Sequence, residues 1–289
     1  MKNHPSRRIS GASDNMIDRK GGDSPSFQEC GASGSAAAPK SRAAKFVFLT
    51  LCGLLLAGGF PAVAETVVFQ NGVADDISDG IDCIDDTVLF EGNQVQNCGA
   101  TKGIGVGNMP YKENRNRRHS LLLRCNVSPL KGATVTGPAT LSLVQVNNSG
   151  ATGDGTFEFA VYEVSPANAD WIEGVGEARE GDTALDGEPT WKCKAAPETP
   201  WAGTPGLNDL GVDCGAEPVA TMTFKEADGD NHVVDVSLPA ALIQKWIDHP
   251  ESNGGLLFVW RSGDRTIGGF RSSEWVPAQR PKLRVDYKK

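Results

Sequence analysis

The chain has 289 residues, a formal net charge of −8 and 39% hydrophobic residues. An acidic protein of this kind does not attract nucleic acid through its overall electrostatic field. Composition and charge therefore argue against a nucleic-acid partner, and they leave binding modules, structural modules and enzymes as the classes to separate.

Residues 1–64 have the pattern of a leader that is removed from the mature protein. Residues 1–45 are polar and rich in Gly, Ser and Ala, and basic residues precede the apolar run 46–60. Small residues follow, ending at Ala64. These features predict a secretory signal peptide cleaved after Ala64, with no membrane segment left after cleavage. The Arg7-Arg8 pair keeps twin-arginine export as a minor alternative. Either route predicts a protein that is secreted, periplasmic or part of the cell envelope.

The segment 65–289 has the size of one all-β domain. It carries 20 Lys and Arg against 32 Asp and Glu, a net charge of −12. Short apolar or alternating runs predict strands throughout the segment, and Leu283, Val285 and Tyr287 alternate with polar residues as in a half-buried closing strand. The predicted strands are 66–70, 87–90, 103–107, 119–125, 139–146, 156–164, 219–224, 232–238, 256–260 and 283–287.

One short helix is predicted near the C-terminus, at residues 239–249. Pro239 suits a first helical turn, Ser237 is the candidate N-cap, and Leu242 and Trp246 lie on one apolar face. The sequence thus predicts a β-sandwich with a single helix.

Five cysteines belong to the segment 65–289. Cys125 lies in an apolar run, which predicts a buried thiol. The other four pair most simply as neighbours, Cys83 with Cys98 and Cys193 with Cys214, and each disulfide would contribute about 3 kcal/mol in the chain-entropy model. A zinc site is disfavoured because the segment has no Cys-x-x-Cys pair and no nearby His.

The most acidic stretch follows the first predicted strand. Carboxylates interleaved with glycine on a loop suit Ca²⁺, which prefers hard oxygen ligands. A solvated acidic loop without metal is an equal alternative, because the spacing is not that of an EF-hand. The candidate ligands are Asp75, Asp76, Asp79, Asp82, Asp85 and Asp86.

Two further segments carry candidate ligand-binding residues. The basic cluster 111–118 offers Tyr111, Arg115 and Arg117 to an anionic ligand, although a solvated turn before a strand is favoured. The long irregular segment 165–218 holds three tryptophans that could stack on sugar rings. A local core beneath the loop is the favoured alternative for at least two of them. They are Trp171, Trp191 and Trp201.

Several pieces of sequence, in their order along the chain, resemble a DNRLRE domain, a group that overlaps the family-ninety-six carbohydrate-binding modules. The six-residue motif of the family name is absent, and Cys98 and Cys125 stand where aromatic residues are usual. The supporting pieces are Asp86-Thr87, Asn97-Cys98-Gly99, SLLLRCNVSPLKGATV at 120–135, and the segments 161–174, 188–203, 233–258 and 269–287.

The resemblance implies a secreted, non-catalytic module similar to jelly-roll sandwiches, with an extracellular polysaccharide as its partner. Neither a G-x-S-x-G elbow nor an H-E-x-x-H motif is present, which agrees with a protein that is not an enzyme. A structural or adhesive module of the cell envelope is the alternative. A hydrolase or lyase remains the least favoured hypothesis, since only the abundance of carboxylates motivates it.

Overall fold

The computed structural model describes residues 64–75, 77–80, 83–110, 116–149, 155–179, 181–261 and 266–289. Residues 1–63 of the predicted leader lie outside these residues, as do four candidate ligands: Asp76, Asp82, Tyr111 and Arg115. Within the described ranges, no helix combines the length and hydrophobicity that crossing a membrane requires.

The described residues form fourteen strands and one α-helix, so the all-β prediction is confirmed. The strands are β1 Glu65–Phe69, β2 Ile84–Phe90, β3 Gly103–Pro110, β4 Asn116–Cys125, β5 Thr134–Val135, β6 Ala139–Ser149, β7 Thr156–Glu163, β8 Cys193–Ala195, β9 Thr199–Pro200, β10 Ala220–Lys225, β11 Val233–Leu238, β12 Leu256–Trp260, β13 Thr266–Arg271 and β14 Lys282–Lys288; the helix is α1 Ala240–Asp248.

Twelve of the described strands belong to one curled antiparallel sheet. Its order is β1-β14-β6-β13-β3-β4-β12-β7-β10, with β11 beside β6, β2 beside β4 and β5 beside β14. Strands β8 and β9 form a separate hairpin. Strand β4 pairs with β2 along 119–125, with β3 along 116–119 and with β12 along 121–123. This central strand therefore holds three neighbours in register. The architecture of the whole sheet is that of a β-sandwich.

The main core lies on the inner face of the sheet. The closing strand β14 alternates as predicted, because Leu283, Val285 and Tyr287 are buried while the residues between them are more exposed. Aromatic side chains fill part of the core, and the ring of Phe224 lies 4.9 Å from that of Phe157 and 5.7 Å from that of Phe159. Alternation along β14 thus decides which face of this strand is buried.

The helix lies where the sequence predicts it, but its cap differs. Leu242, Ile243, Trp246 and Ile247 are all buried, which confirms the apolar face. The N-cap is Pro239, and no side chain caps the helix. Ser237 is wrong as the cap because it belongs to β11, opposite Thr140 of β6.

Residues 165–218, here called the cover segment, lie over the outer face of the sheet. This face is apolar, with Leu89, Leu122 and Leu257 fully buried in a second core. The cover segment has little regular structure, so its backbone needs other hydrogen-bond partners. Buried Asp213 supplies them, because its carboxylate accepts bonds from the backbone N–H groups of residues 203, 204 and 209 at 2.7–3.0 Å.

The two predicted disulfides are wrong: no disulfide joins any of the five described cysteines. Cys83 precedes β2, whereas Cys98 lies beside Phe90 at the far end of that strand. A strand of seven residues separates them by far more than the Cα spacing a disulfide allows. Cys214 pairs by its backbone with Val164, and the thiol of Cys193 instead donates to its own hairpin turn.

Cys125 is a buried thiol on β4, as predicted. Burial is also the main cause that raises the pKa of its thiol, and it raises the pKa of Cys98 to about 12 and that of Cys214 to about 11. Desolvation of a thiolate has this effect, so these thiols are weakly reactive in the folded protein.

We expect the stability of the domain to be independent of reductant. The Tm of residues 65–289 should be unchanged when a phosphine reductant is added, because no covalent cross-link constrains the unfolded chain. A thiol-reactive chromophore should label all five cysteines in denaturant and fewer in the native state. A reductant-dependent Tm, or fewer than five thiols in denaturant, would contradict the structure.

Candidate functional site

The three candidate sugar-stacking tryptophans are buried in the second core. Trp171 is 1% exposed, and Trp191 and Trp201 are each 3% exposed. The indole N–H of Trp171 donates to the carbonyl of Gly254 at 2.8 Å, and that of Trp201 to the carbonyl of Thr190 at 3.0 Å. Because their faces are covered, these rings cannot stack on a ligand. They form the local core that the sequence analysis favoured for at least two of them.

The candidate calcium ligands face different partners. Asp75 accepts hydrogen bonds from the backbone N–H groups of Ile77 and Ser78, and Asp85 forms an ion pair with Arg124. Asp86 is buried and Asp79 is exposed. Among the described residues, no group of three or more acidic, His or Cys side chains is arranged to hold a metal ion. Calcium binding therefore stays a prediction from sequence.

Only Arg117 of the candidate basic residues is described. It lies on β4 opposite Met109, so this part of the cluster is strand rather than turn. Its neighbour Arg118 donates to the side chain of Asn208 at 2.8 Å and lies over the ring of Trp191, 5.3 Å from the ring centroid. Arg118 thus contacts the cover segment and contributes to its packing.

An open cleft of about 710 Å³ lies at one edge of the cover segment. We call it the Arg124 cleft. Strands β2 and β4 contribute its base, the cover segment one wall, and the end of α1 with the following turn Pro250–Ser252 the other. Its lining combines polar and charged side chains with apolar surface: Asp85, Arg124, Asn126, Ser128, Pro166, Ala167, Ala169, Asp170, Lys194, Trp246, Pro250, Glu251 and Asn253.

Arg124 is held rigidly at the base of the cleft. Its Nε donates to Asp85 Oδ2 at 3.0 Å, its Nη2 donates to the same oxygen at 2.5 Å, and its Nη1 donates to the carbonyl of Ala169 at 2.9 Å. The guanidinium also lies over the ring of Trp171, 4.6 Å from its centroid. These contacts stabilise the positive charge of a side chain that lies at the end of an apolar strand.

Lys194 is fixed on the wall in a similar way. Its Nζ lies 2.6 Å from Asp170 Oδ1 and donates to the carbonyl of Ala167 at 3.0 Å. The hydrogen bond from Lys194 is the main cause that lowers the pKa of the Asp170 carboxyl, so Asp170 stays ionised. Both cations of the cleft are therefore positioned before any ligand arrives.

Two acids outside the lining of the cleft, the buried Asp86 and the partly buried Glu173, form a pair. The carboxylate of Glu173 accepts a bond from the backbone N–H of Asp86 at 2.7 Å and from the hydroxyl of Ser273 at 3.0 Å. Asp86 accepts from the backbone N–H of Ser273 at 2.6 Å, and its Oδ1 has no hydrogen-bond partner among the described residues. The pair joins the cover segment to β2 and to the turn after β13.

Burial raises the pKa of Glu173 to about 7, and the charges of nearby acids raise it further. The hydrogen bonds that its carboxylate accepts act in the opposite direction. Burial and the charge of Glu173 raise the pKa of Asp86 well above its ordinary range. Two carboxyl groups this close cannot easily ionise together, so the folded protein retains a proton here.

Comparison of the chain with protein-family models and with curated proteins finds no match. The resemblance to DNRLRE domains therefore rests on the residue pattern alone and stays a prediction.

Sequence reasoning missed the residues that line the cleft, apart from Asp85. One signal was available, because Arg124 is a charge within the run LLLRC, where a buried strand predicts apolar residues. Lys194 and Asp170 carry no comparable signal. They meet only because the hairpin β8–β9 folds back onto the turn Pro166–Asn168.

Replacing Trp201 tests whether the tryptophans are core residues. We expect Trp201→Ala to lower the free energy of unfolding by about 3–5 kcal/mol, because it opens a cavity in the second core. Urea denaturation measures the loss. The exposed neighbour of Trp171, Ile172, provides the control, since Ile172→Ala should change stability by less than about 0.5 kcal/mol. Unchanged stability in Trp201→Ala would contradict the buried placement.

The raised pKa of Glu173 predicts a pH-dependent stability. Between its ordinary value of 4.5 and about 7, the folded state binds more protons than the unfolded state, so stability falls as pH rises through this window. Glu173→Gln removes this slope. Relative to wild type, the variant should gain about 2 kcal/mol between pH 4.5 and pH 8, after allowance for partial solvent exposure.

Urea denaturation of both proteins across this pH range measures the gain. The comparison with wild type is essential, because burial also lowers the pKa of His119 to about 4, which gives wild type an opposite slope. Glu158→Gln, at an exposed position of β7, is the matched control and should follow wild type. Parallel curves for Glu173→Gln and wild type would contradict the buried acid pair.

Proposed function

We propose that this protein is an exported, non-catalytic β-sandwich module that binds an extracellular polysaccharide in the Arg124 cleft. The leader pattern at 1–64 supports export, and the resemblance to DNRLRE domains supports a carbohydrate partner. The absence of disulfides among the described cysteines removes one argument for an oxidising compartment, so the case for export depends on the leader pattern and the family resemblance.

The observation that carries the proposal is the lining of the cleft. Saccharides present many hydroxyl groups, which need several hydrogen-bond donors and acceptors converging on one concave surface. Arg124 and Lys194 are donors, Asp85 and Asp170 are acceptors, and Asn126 offers both functions. Pro166 and Pro250, which are exposed, give small apolar surfaces for the C–H faces of a sugar ring. A volume of about 710 Å³ suits a short stretch of oligosaccharide.

The polar groups are pre-organised. Contacts with the protein hold three N–H groups of Arg124 and two of Lys194 in place, and each side chain keeps further N–H groups for a ligand. Little rotamer entropy is lost when such side chains bind, which raises affinity without added contact area.

The acids of the cleft do not suit glycoside hydrolysis. A glycosidase needs one carboxyl group held protonated as a general acid beside a second, ionised one. Asp85 and Asp170 each pair with a cation, and the third acid of the cleft, Glu251, has a side chain that is mostly exposed to solvent. The two acids with raised pKa values, Asp86 and Glu173, do not line the cleft, and Asp86 is fully buried. This separation supports a binding role.

Filling the cleft tests the proposal. Affinity electrophoresis against a panel of neutral, acidic and amino polysaccharides, with and without chelator, should find at least one that retards the wild-type protein. Ala167→Trp places an indole in the cleft from the turn Pro166–Asn168, and it should weaken that binding about tenfold or more. The chelator arm reports whether calcium contributes.

Ala227→Trp is the matched control, because Ala227 occupies a similar exposed turn, Glu226–Asp228, that does not line the cleft. It should bind like wild type. If no polysaccharide retards the wild-type protein, the proposal fails and a structural envelope module is favoured. Equal binding by Ala167→Trp and wild type would show that the binding site lies elsewhere on the domain.

A further inference from the structure

We propose that the Arg124 cleft selects saccharides that carry ammonium groups, such as oligomers of unacetylated amino sugars, over acidic saccharides. This inference rests on the proposed function and names its ligand class. The charges that a ligand meets in the cleft carry the argument.

The lining of the cleft is negative in sum. It contains two cations, Arg124 and Lys194, and three carboxylates, Asp85, Asp170 and Glu251. In a partly enclosed cleft such charges are weakly screened, so their sum influences which ligand binds.

Two of the three carboxylates are far more exposed than the cations. The side chain of Lys194 is 13% exposed and that of Arg124 22%, whereas the side chains of Asp170 and Glu251 are 74% and 76% exposed. The cations therefore lie at the base together with Asp85, which is 27% exposed, and the carboxylates of Asp170 and Glu251 lie at the rim. A ligand that enters the cleft meets carboxylate oxygens first.

Each cation is already compensated by a carboxylate. Arg124 contacts Asp85, and Lys194 contacts Asp170 through Oδ1. The carboxylate of Asp170 stays accessible to a ligand, because its side chain is 74% exposed. The carboxylate of Glu251 lies 3.5 Å from the imidazole of His249, an exposed and weak contact. Two acceptors at the rim can thus receive N–H groups from an ammonium, which is a stronger interaction than one with a hydroxyl.

The field of the whole domain has the same sign. With a net charge of −12 for residues 65–289, long-range electrostatics attract a polycation and repel a polyanion. An acidic saccharide would bring its carboxylates close to those of Asp170 and Glu251 at the rim, where like charges repel.

Calorimetry with three matched hexamers tests the inference: glucosamine, N-acetylglucosamine and galacturonic acid, at about pH 6, where the amino groups are protonated. The glucosamine hexamer should bind at least about tenfold more tightly than the other two. Glu251→Gln should weaken binding of this hexamer about threefold to tenfold and leave the acetylated hexamer unaffected. Glu198→Gln, at an exposed position outside the cleft, is the matched control and should bind like wild type.

Ala167→Trp distinguishes binding in the cleft from diffuse attraction to an acidic protein. It should abolish binding of the glucosamine hexamer, and retained binding would overturn the inference. Equal or tighter binding of the acetylated or acidic hexamer would also overturn it, while the proposed function would stand. If no hexamer binds but a polysaccharide retards the wild-type protein, again only the inference fails. If nothing binds in either assay, both fail.

Discussion

The rest of the structure depends on shielding the apolar outer face of the sheet from water, and the cover segment, 165–218, provides this shielding. One face of the sheet is apolar around Leu122 and Leu257, and it must be shielded from water. A segment without regular structure can do this only if its backbone hydrogen-bonding groups find partners. Asp213 and Glu188 are those partners: both are buried, and both accept bonds from backbone N–H groups, Glu188 from residues 175 and 185. Buried carboxylates here accept the backbone hydrogen bonds that a neighbouring strand would accept in a β-sheet.

The Arg124 cleft is a consequence of this arrangement. Arg124 extends from β4 to the edge of the cover segment. There its guanidinium lies over the ring of Trp171 and donates to the carbonyl of Ala169. Lys194 reaches the same edge from the hairpin β8–β9. The residues that shield the outer face of the sheet also hold the charged groups of the candidate site, so packing and ligand binding depend on the same loop.

The acid pair fastens the same segment at a second point. Glu173 and Asp86 meet at Ser273, which lies far away in sequence. Nearby, the Asn97 side chain holds the backbone on both sides of Gly174, and a Cβ at Gly99 would lie 2.3 Å from the carbonyl oxygen of Glu173. The close approach requires glycine at 99. A pair that retains its proton near neutral pH makes this attachment sensitive to pH.

The amino-acid sequence by itself determined the β-sandwich class, the buried face of the closing strand β14 and the apolar face of α1, because local periodicity decides which side chains face the core. It also indicated Cys125 as a buried thiol. Only the tertiary structure decided that the tryptophans are core residues, that the cysteines stay apart, and that Arg124 and Lys194 share a cleft. Those outcomes depend on which distant segments meet, and spacing along the chain does not encode the path of an irregular loop.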